Sequence, residues 1–409
     1  MKKLGLLPRL IIAIILGILI GLGGQKVDFL KVIVRLLVTF NGLFGNFLGF
    51  VIPLIIMGFV IPGIADLGDS AGKTLAITAG IAYLSTVIFG TITYFVGSSI
   101  LPNFIKKGAI SFNPDENAGN VLKPLFESPM DPVFSVTTAL IISFILGVGI
   151  AAVKAEVLKK AVHEFSDIIT RLISVIIIPL LPFHICGIFA NMSYQGTVAV
   201  VLSVFAKVFI MVLILHWLTI TVQYTVASSM TGGSPFTKIK TMVPAYMTAV
   251  GTQSSAATIP VTLNQTYKLG VNKGIADFVI PLCATIHLSG STITLTSCSL
   301  SILMLNGSDV GFQHMFPFIL MLGVTMVAAP GVPGGAVMAA LGILQSMLGF
   351  TEPMTALIIA LYVAQDSFGT ACNITGDAAI ACIVNKISGF KLDPKANTEY
   401  IDELVKQKK

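Results

Sequence analysis

QDSFGTACNITGD, residues 365–377, interrupts an apolar stretch that covers residues 352–388. Within it Asp366, Thr370, Asn373 and Asp377 follow one another at spacings of 4, 3 and 4. At about 100° per residue these positions share one narrow helical face. The intervening Phe368, Ala371, Cys372 and Ile374, and Ala378, Ile380 and Ala381 beyond them, are apolar or small. The pattern predicts an apolar helix with a single polar stripe. An aspartate at mid-membrane costs roughly 2.5–3.5 kcal/mol on insertion scales, and two cost about 5–7 kcal/mol. That is large beside the marginal stability of a folded protein. A cation and a cationic solute group against the carboxylates offset the cost; a hydrogen-bonded structural pair is the alternative. Carboxylate, amide and carbonyl oxygens suit hard cations such as Na⁺.

The rest of the chain fits a membrane setting. Of 409 residues, 55% are hydrophobic and only 11% charged, against roughly 25% charged in soluble domains. Lipid is therefore the solvent for much of the surface. Apolar runs at 9–24, 31–64, 76–101, 133–154, 165–192 and 197–228 read as six spanning helices. The basic start MKKLGLLPRL leads into the first span rather than a cleavable signal. The polar segment 103–132 is a solvent loop. Lys2, Lys3, Arg9, Lys154, Lys159, Lys160, Lys238, Lys240, Lys406, Lys408 and Lys409 alternate correctly if both termini are cytoplasmic; Lys106 and Lys107 fall on the outer side. The expected location is the inner or plasma membrane, multi-pass. The net charge of +6 reflects such loops; no basic stripe interleaved with aromatics points to nucleic acid. The five cysteines match no zinc or redox spacing and read as small buried hydrophobes.

After residue 240 the texture changes. The segment 244–267 is broken by GTQSSAATIP, 274–305 by HLSGSTI, 315–348 by AAPGVPGGA, and 352–388 carries the stripe. The order is broken hairpin, long span, broken hairpin, long span. Paired Gly/Pro-interrupted apolar segments point to a transporter binding site, since irregular backbone at membrane depth survives only inside protein or beside a watery cavity. Carbonyls freed at HLSGS complete a cation shell. Ser254, Ser255, Thr258, Ser291 and Thr292 supply donors for a solute carboxylate, aided by helix N-termini at the tips. His287, beside the break, is read first as a satisfied interior histidine and second as a titrating group. His163, His184, His216 and His314 share no face. Lys207 and Asp277 read as paired or snorkelling side chains. Gly334 and Gly335 lack the Gly-Lys-Ser/Thr ending of a phosphate loop. No ring-forming selectivity motif suggests a channel, and a membrane enzyme using the Asp pair needs a nucleophile–base arrangement, which does not accompany it.

The four motifs GTQSSAATIP, PLCATIHLSGST, AAPGVPGGA and QDSFGTACNITGD, in that order, resemble those of the dicarboxylate/amino acid:cation symporters. The resemblance covers nearly the whole chain. It implies an all-α integral membrane protein with eight transmembrane helices and two re-entrant hairpins, inverted repeats, an elevator mechanism and a homotrimer. The implied division is 1–72 for the first scaffold helices, 73–132 for the third span and outer loop, 133–240 for spans four to six as scaffold and periphery, 241–390 for the transport core, and 391–409 for a cytoplasmic tail. It further implies that Asp366 holds a solute amino group, with Thr370 and Asn373 as neighbouring contacts. Ser254, Ser255, Ser291, Val332 and Ala336 lie at or beside the tip and break positions that receive the solute. Asp377 with carbonyls of Cys283, His287 and Asn373 corresponds to one sodium site. Thr285, Met326, Val327 and Ala329 correspond to a second.

Two departures sharpen the expectation. Acidic-substrate members carry an arginine at the position of Gly369; some place it in the inner tip, where Gln253 stands here. Without a guanidinium fork a solute's side-chain carboxylate has no fixed partner. The expected substrate is a neutral amino acid such as serine, threonine, alanine or cysteine, taken up with Na⁺; the alternative is an acidic amino acid or C4-dicarboxylate. The break motif, usually Asn-Met-Asp-Gly-Thr, reads His287, Leu288, Ser289, Gly290, Ser291 here. The side chains of the family's third sodium site are thus absent, which favours one or two Na⁺, or a proton contribution from His287.

Overall fold

The computed structural model describes residues 6–69, 73–110, 122–327 and 329–393. Lys2, Lys3, Lys406, Lys408 and Lys409, on which part of the expected orientation rests, lie outside these residues, as does most of the expected tail. Among the described residues there are fourteen α-helices and no strand. They are α1 (Leu6–Gly24), α2 (Asp28–Asp69), α3 (Lys73–Ile100), α4 (Val136–Val153), α5 (Glu156–Leu172), α6 (Ile178–Tyr194) and α7 (Val198–Thr231). The second half comprises α8 (Pro235–Thr252), α9 (Ser255–Lys268), α10 (Lys273–Ile286), α11 (Ser289–Asn306), α12 (Phe312–Val327), α13 (Gly335–Leu348) and α14 (Glu352–Ile387). Six are long and apolar enough to cross a membrane: Asp28–Ala65, Thr74–Asn103, Glu156–Tyr194, Val198–Thr231, Lys273–Asn306 and Glu352–Ile387. Shorter apolar helices cover Pro8–Gly24, Thr137–Val153, Phe312–Val327 and Gly335–Leu348.

Local chemistry sets the boundaries. Ser135 caps α4 by accepting from Thr138 N at 3.2 Å, and Lys154 ends it in the left-handed region at φ 53°. Asn272 caps α10 through Gly274 N at 3.0 Å. The run expected at 165–192 starts earlier, because α5 continues through a π-turn, Ile173–Ile177, into α6. Buried hydroxyls inside the helices, such as Thr86, Thr93 and Ser143, donate to the carbonyl four residues back, which removes the cost of hiding them from water. The 103–132 loop is not free where it is described. Ile110 N donates to Leu305 O at 3.0 Å, Asn46 reaches Ser128 O at 2.9 Å, and Leu125 N reaches Thr39 Oγ1 at 2.9 Å. Its residues 111–121 lie outside the described residues.

Two packing groups result. In the first, α2 packs on α4, α5 and α6, and α1 lies along α6. The α1–α6 approach requires glycine: a Cβ on Gly21 would sit 2.2 Å from Ala190 O, the close backbone contact that small residues permit between membrane helices. In the second, α7, α8, α10 and α11 surround α14, and α3 lies on α11 and α12. Packing thus joins α3 and α7 to the hairpins, whereas the sequence groups all six early spans as scaffold and periphery. Long-range bonds explain the join: Tyr224 on α7 donates to Thr375 O at 2.8 Å, and Tyr83 on α3 to Leu320 O at 3.3 Å. Lys207 and Asp277 are paired as expected. Lys207 Nζ lies 5.2 Å from the Phe104 ring centroid, and Asp277 accepts from Tyr267 and Lys273.

Candidate functional site

Three helix N-termini converge on the middle of α14, and each is capped by a polar side chain. Ser254 caps α9, accepting from Ala257 N at 3.2 Å. Asn373 Oδ1 caps α11, accepting from Gly290 N at 2.7 Å and Ser291 N at 3.4 Å. Asp366 Oδ2 accepts from Gly334 N, at the head of α13, at 2.7 Å. N–H groups at a helix start have no intrahelical partner and carry the positive end of the macrodipole. The stripe on α14 therefore serves, in part, the starts of two discontinuous helices.

The stripe forms as its spacing predicts. α14 is continuous from Glu352 to Ile387, and Asp366, Thr370, Asn373 and Asp377 are all buried. Thr370 Oγ1 donates to Asp366 Oδ1 at 3.4 Å. Tyr362, one turn earlier on the same face, donates to Ser291 Oγ at 2.8 Å, and Asn373 Nδ2 donates to the same oxygen at 3.0 Å. Ser291 Oγ thus accepts from two side chains at the break, which leaves its own O–H to donate. Thr292 points away from the stripe, its methyl facing Gly90 on α3.

The first tip is tight. Gln253 adopts φ 55°, unusual for a residue with a Cβ, and its Nε2 donates to Ser367 Oγ at 2.8 Å. Ser254 Oγ donates to Gly331 O at 2.7 Å, so one hydroxyl joins both tips. The second tip is longer and is made of backbone. Val332 N donates to Pro330 O and Val332 O accepts from Gly335 N, both at 2.9 Å, and Ala336 is buried in the first turn of α13. At Gly369, where an arginine is absent, α14 meets the start of α11. A Cβ on Gly290 would come 2.5 Å from Gly369 O.

The Asp377 end is built differently. His287 and Leu288 are the two non-helical residues between α10 and α11. His287 Nδ1 lies 2.8 Å from Asp377 Oδ1. Its Nε2 lies 3.1 Å from Ser85 Oγ on α3 and 3.2 Å from Gln223 Nε2 on α7. His287 is therefore the satisfied interior histidine of the first expectation. The order serine–imidazole–carboxylate is that of a hydrolase's nucleophile row, an arrangement that no local motif displays because its members come from three distant segments. Ring and carboxylate are wholly buried, which suits fixing a charge rather than admitting an acyl substrate. His216, expected to be structural, also touches the break: its Nε2 lies 3.0 Å from Gly290 O.

The donor set fits a hard cation at Asp377, because Asp377 Oδ2 is buried and has no hydrogen-bond partner among the described residues. Such a group is costly unless something positive meets it. Of the neighbours expected there, Cys283 lies in the last turn of α10 with its carbonyl accepting from His287 N at 2.9 Å, and Asn373 lies one turn before Asp377. In the second expected set, Thr285, Val327 and Ala329 line a cavity of about 250 Å³. It opens between α2 and α5 on one side and α10 and the second tip on the other. Met326 is buried beside it; residue 328 is outside the described residues.

Sequence comparison adds what geometry leaves open. The chain is 24% identical over 398 residues to a serine/threonine transporter, SstT, of Streptococcus thermophilus, covering 94% of this chain and 96% of that protein. It is likewise 24% identical over 404 residues to the SstT serine/threonine transporter of Acinetobacter baumannii, covering 94% and 97%. The model of the sodium:dicarboxylate symporter family matches residues 6–387, and with its long apolar helices the chain belongs to that family of membrane transporters rather than to an enzyme class.

Proposed function

We propose that the chain is a secondary active symporter that couples Na⁺ to the movement of a small neutral amino acid of the serine, threonine, alanine or cysteine type. The observation that carries this reading is the pair of buried carboxylates at opposite ends of one α14 stripe, with no guanidinium beside either. Asp366 faces the two tips and offers its charge to an amino group. Asp377 offers Oδ2 to Na⁺. The glycine contact between Gly290 and Gly369 fills the place where an arginine would be needed for an acidic side chain. The names of the full-length relatives support a hydroxyl-bearing neutral substrate.

In this reading the six long helices, α1 and α4 are eight spans, and α8–α9 and α12–α13 are re-entrant hairpins entering from opposite faces. Both termini are cytoplasmic. α3, α7 and the hairpin helices move as one body against the α1, α2, α4, α5 and α6 group, in a homotrimer. A second Na⁺ is held by carbonyls of Thr285, Met326, Val327 and Ala329. The test is uptake of labelled L-serine into proteoliposomes under an inward Na⁺ gradient. Uptake should collapse when Na⁺ is replaced by choline and should resist competition by aspartate and glutamate. Uptake indifferent to Na⁺ and to every ion gradient sinks the symport reading. Potent competition by aspartate returns the chain to the acidic-substrate alternative.

A further inference from the structure

Ser85 and Gln223 belong to no sequence motif, yet both meet His287, the ring that holds the Asp377 carboxylate. Gln223 Nε2 donates to Ser85 Oγ at 3.0 Å and approaches His287 Nε2 at 3.2 Å. An amide nitrogen donates and does not accept. With the Gln223 amide turned this way, His287 Nε2 is the acceptor at this corner and the ring proton is on Nδ1, directed at Asp377 Oδ1 2.8 Å away. Every bond in the row runs one way, from the amide through the hydroxyl and the ring to the carboxylate. The niche is fitted to these groups: a Cβ on Gly376 would meet Gln223 Oε1 at 2.5 Å and His287 Cε1 at 2.7 Å. Three segments far apart in the chain, α3, α7 and the α10–α11 break, thus meet one turn of α14.

We propose that Ser85 and Gln223 are positioning residues for the cation site. This rests on the reading above, in which Asp377 serves Na⁺, and deepens it. The terminal torsion of an aspartate is soft. Holding Oδ1 against a locked imidazole fixes the direction of Oδ2, the buried oxygen without a partner. Asp377 therefore offers Na⁺ one oxygen in one orientation, and its other oxygen is withdrawn from the ion. Groups that orient a ligand from behind in this way commonly change metal affinity by about 10–100-fold when removed.

The test uses purified full-length protein, with NaCl titrated against choline chloride at constant ionic strength and no amino acid present. Thermal shift reads the Na⁺ half-saturation. L-Serine affinity is then measured at saturating Na⁺. Ser85→Ala should raise the Na⁺ half-saturation about tenfold and leave serine affinity at saturating Na⁺ near that of the parent. Ser85→Thr, which keeps the hydroxyl, should restore most of the loss. If Ser85→Ala does not yield a monodisperse preparation, Gln223→Met carries the same expectation. The proposal is overturned if the tested variant titrates with Na⁺ like the parent, or if Na⁺ and serine affinity fall together. A parent protein that shows no Na⁺ shift overturns the Na⁺ reading itself, and with it this proposal.

Discussion

The two ends of the α14 stripe carry the same charged group in opposite settings. Asp366 is held by Gly334 N–H, a backbone donor on a long tip, by Tyr362 one turn earlier on α14, and by a stretched bond from Thr370. Asp377 is held by His287, a side chain locked by α3 and α7. A hairpin tip withdraws by turning a few backbone torsions; a packed core does not. The first arrangement suits a ligand whose entry displaces a donor. The second suits a small ion that enters a fixed seat. The same helix thus supplies an exchangeable contact at one end and a preset one at the other.

The sharpest break of this comparison is to remove each charge alone. Asp366→Asn should weaken serine binding by about 30-fold or more, since truncating one side of a buried charge pair commonly costs 2–5 kcal/mol. Its Na⁺-only thermal shift should survive. Asp377→Asn should do the reverse, losing the Na⁺ shift while serine still binds weakly. Isothermal titration showing both variants equal to the parent in both ligands removes the assigned roles.

Between the ends lies the Gly290–Gly369 contact, and its two sides are unequal. A Cβ on Gly290 meets Gly369 O at 2.5 Å, whereas a Cβ on Gly369 has nothing closer than Gly290 C at 3.6 Å. Gly290→Ala should therefore destabilise by about 1–3 kcal/mol, as overpacking does. Gly369→Ala should be neutral or stabilising by up to ~1 kcal/mol, because alanine restricts the helix less. Equal melting temperatures for the two variants would show that the helices separate at no cost.

How much of this is legible before folding depends on whether a signal is local. The stripe is, because helical spacing brings residues 4, 3 and 4 apart onto one face; Tyr362, one turn before Asp366, extends it and could have been read in the same way. The breaks at residues 253–254 and 287–288 are legible from Gly, Ser and Pro inside apolar runs. The row Gln223–Ser85–His287 is not. Ser85 and Gln223 lie in apolar runs away from every motif, and only tertiary packing brings together positions 138 and 64 residues apart. The fates of the serines were also hidden. A hydroxyl near a tip reads as a ligand donor, yet Ser254 gives its proton to join the tips, while Ser291, accepting from Tyr362 and Asn373, keeps its own.

That use of Ser254 gives a smaller effect, confined to the Asp366 end. Ser254→Ala removes the α9 cap and the bond to Gly331 O together. The cap alone is worth about 1 kcal/mol. Stopped-flow should show serine leaving several-fold faster, with Na⁺ half-saturation unmoved and Ser254→Thr largely restoring the parent rate. A matching change at the Asp377 end would mean that the two ends are not independent.

The smallest effect lies in the turn before it. Gln253 is held at φ 55° although it has a Cβ, at a cost of order 1–2 kcal/mol relative to glycine. Its amide bond to Ser367 contributes about 1 kcal/mol in return. Gln253→Gly removes both, so its melting temperature should match the parent's to within about 1 kcal/mol of stability. Gln253→Ala removes only the bond and should fall below both. The gap between Gly and Ala then measures the strain in the first tip, a quantity that the second tip avoids by placing Gly334 at φ 74°. If Gly and Ala melt together, the first tip relaxes as freely as the second, and the side-chain bond to Ser367 is what keeps it closed.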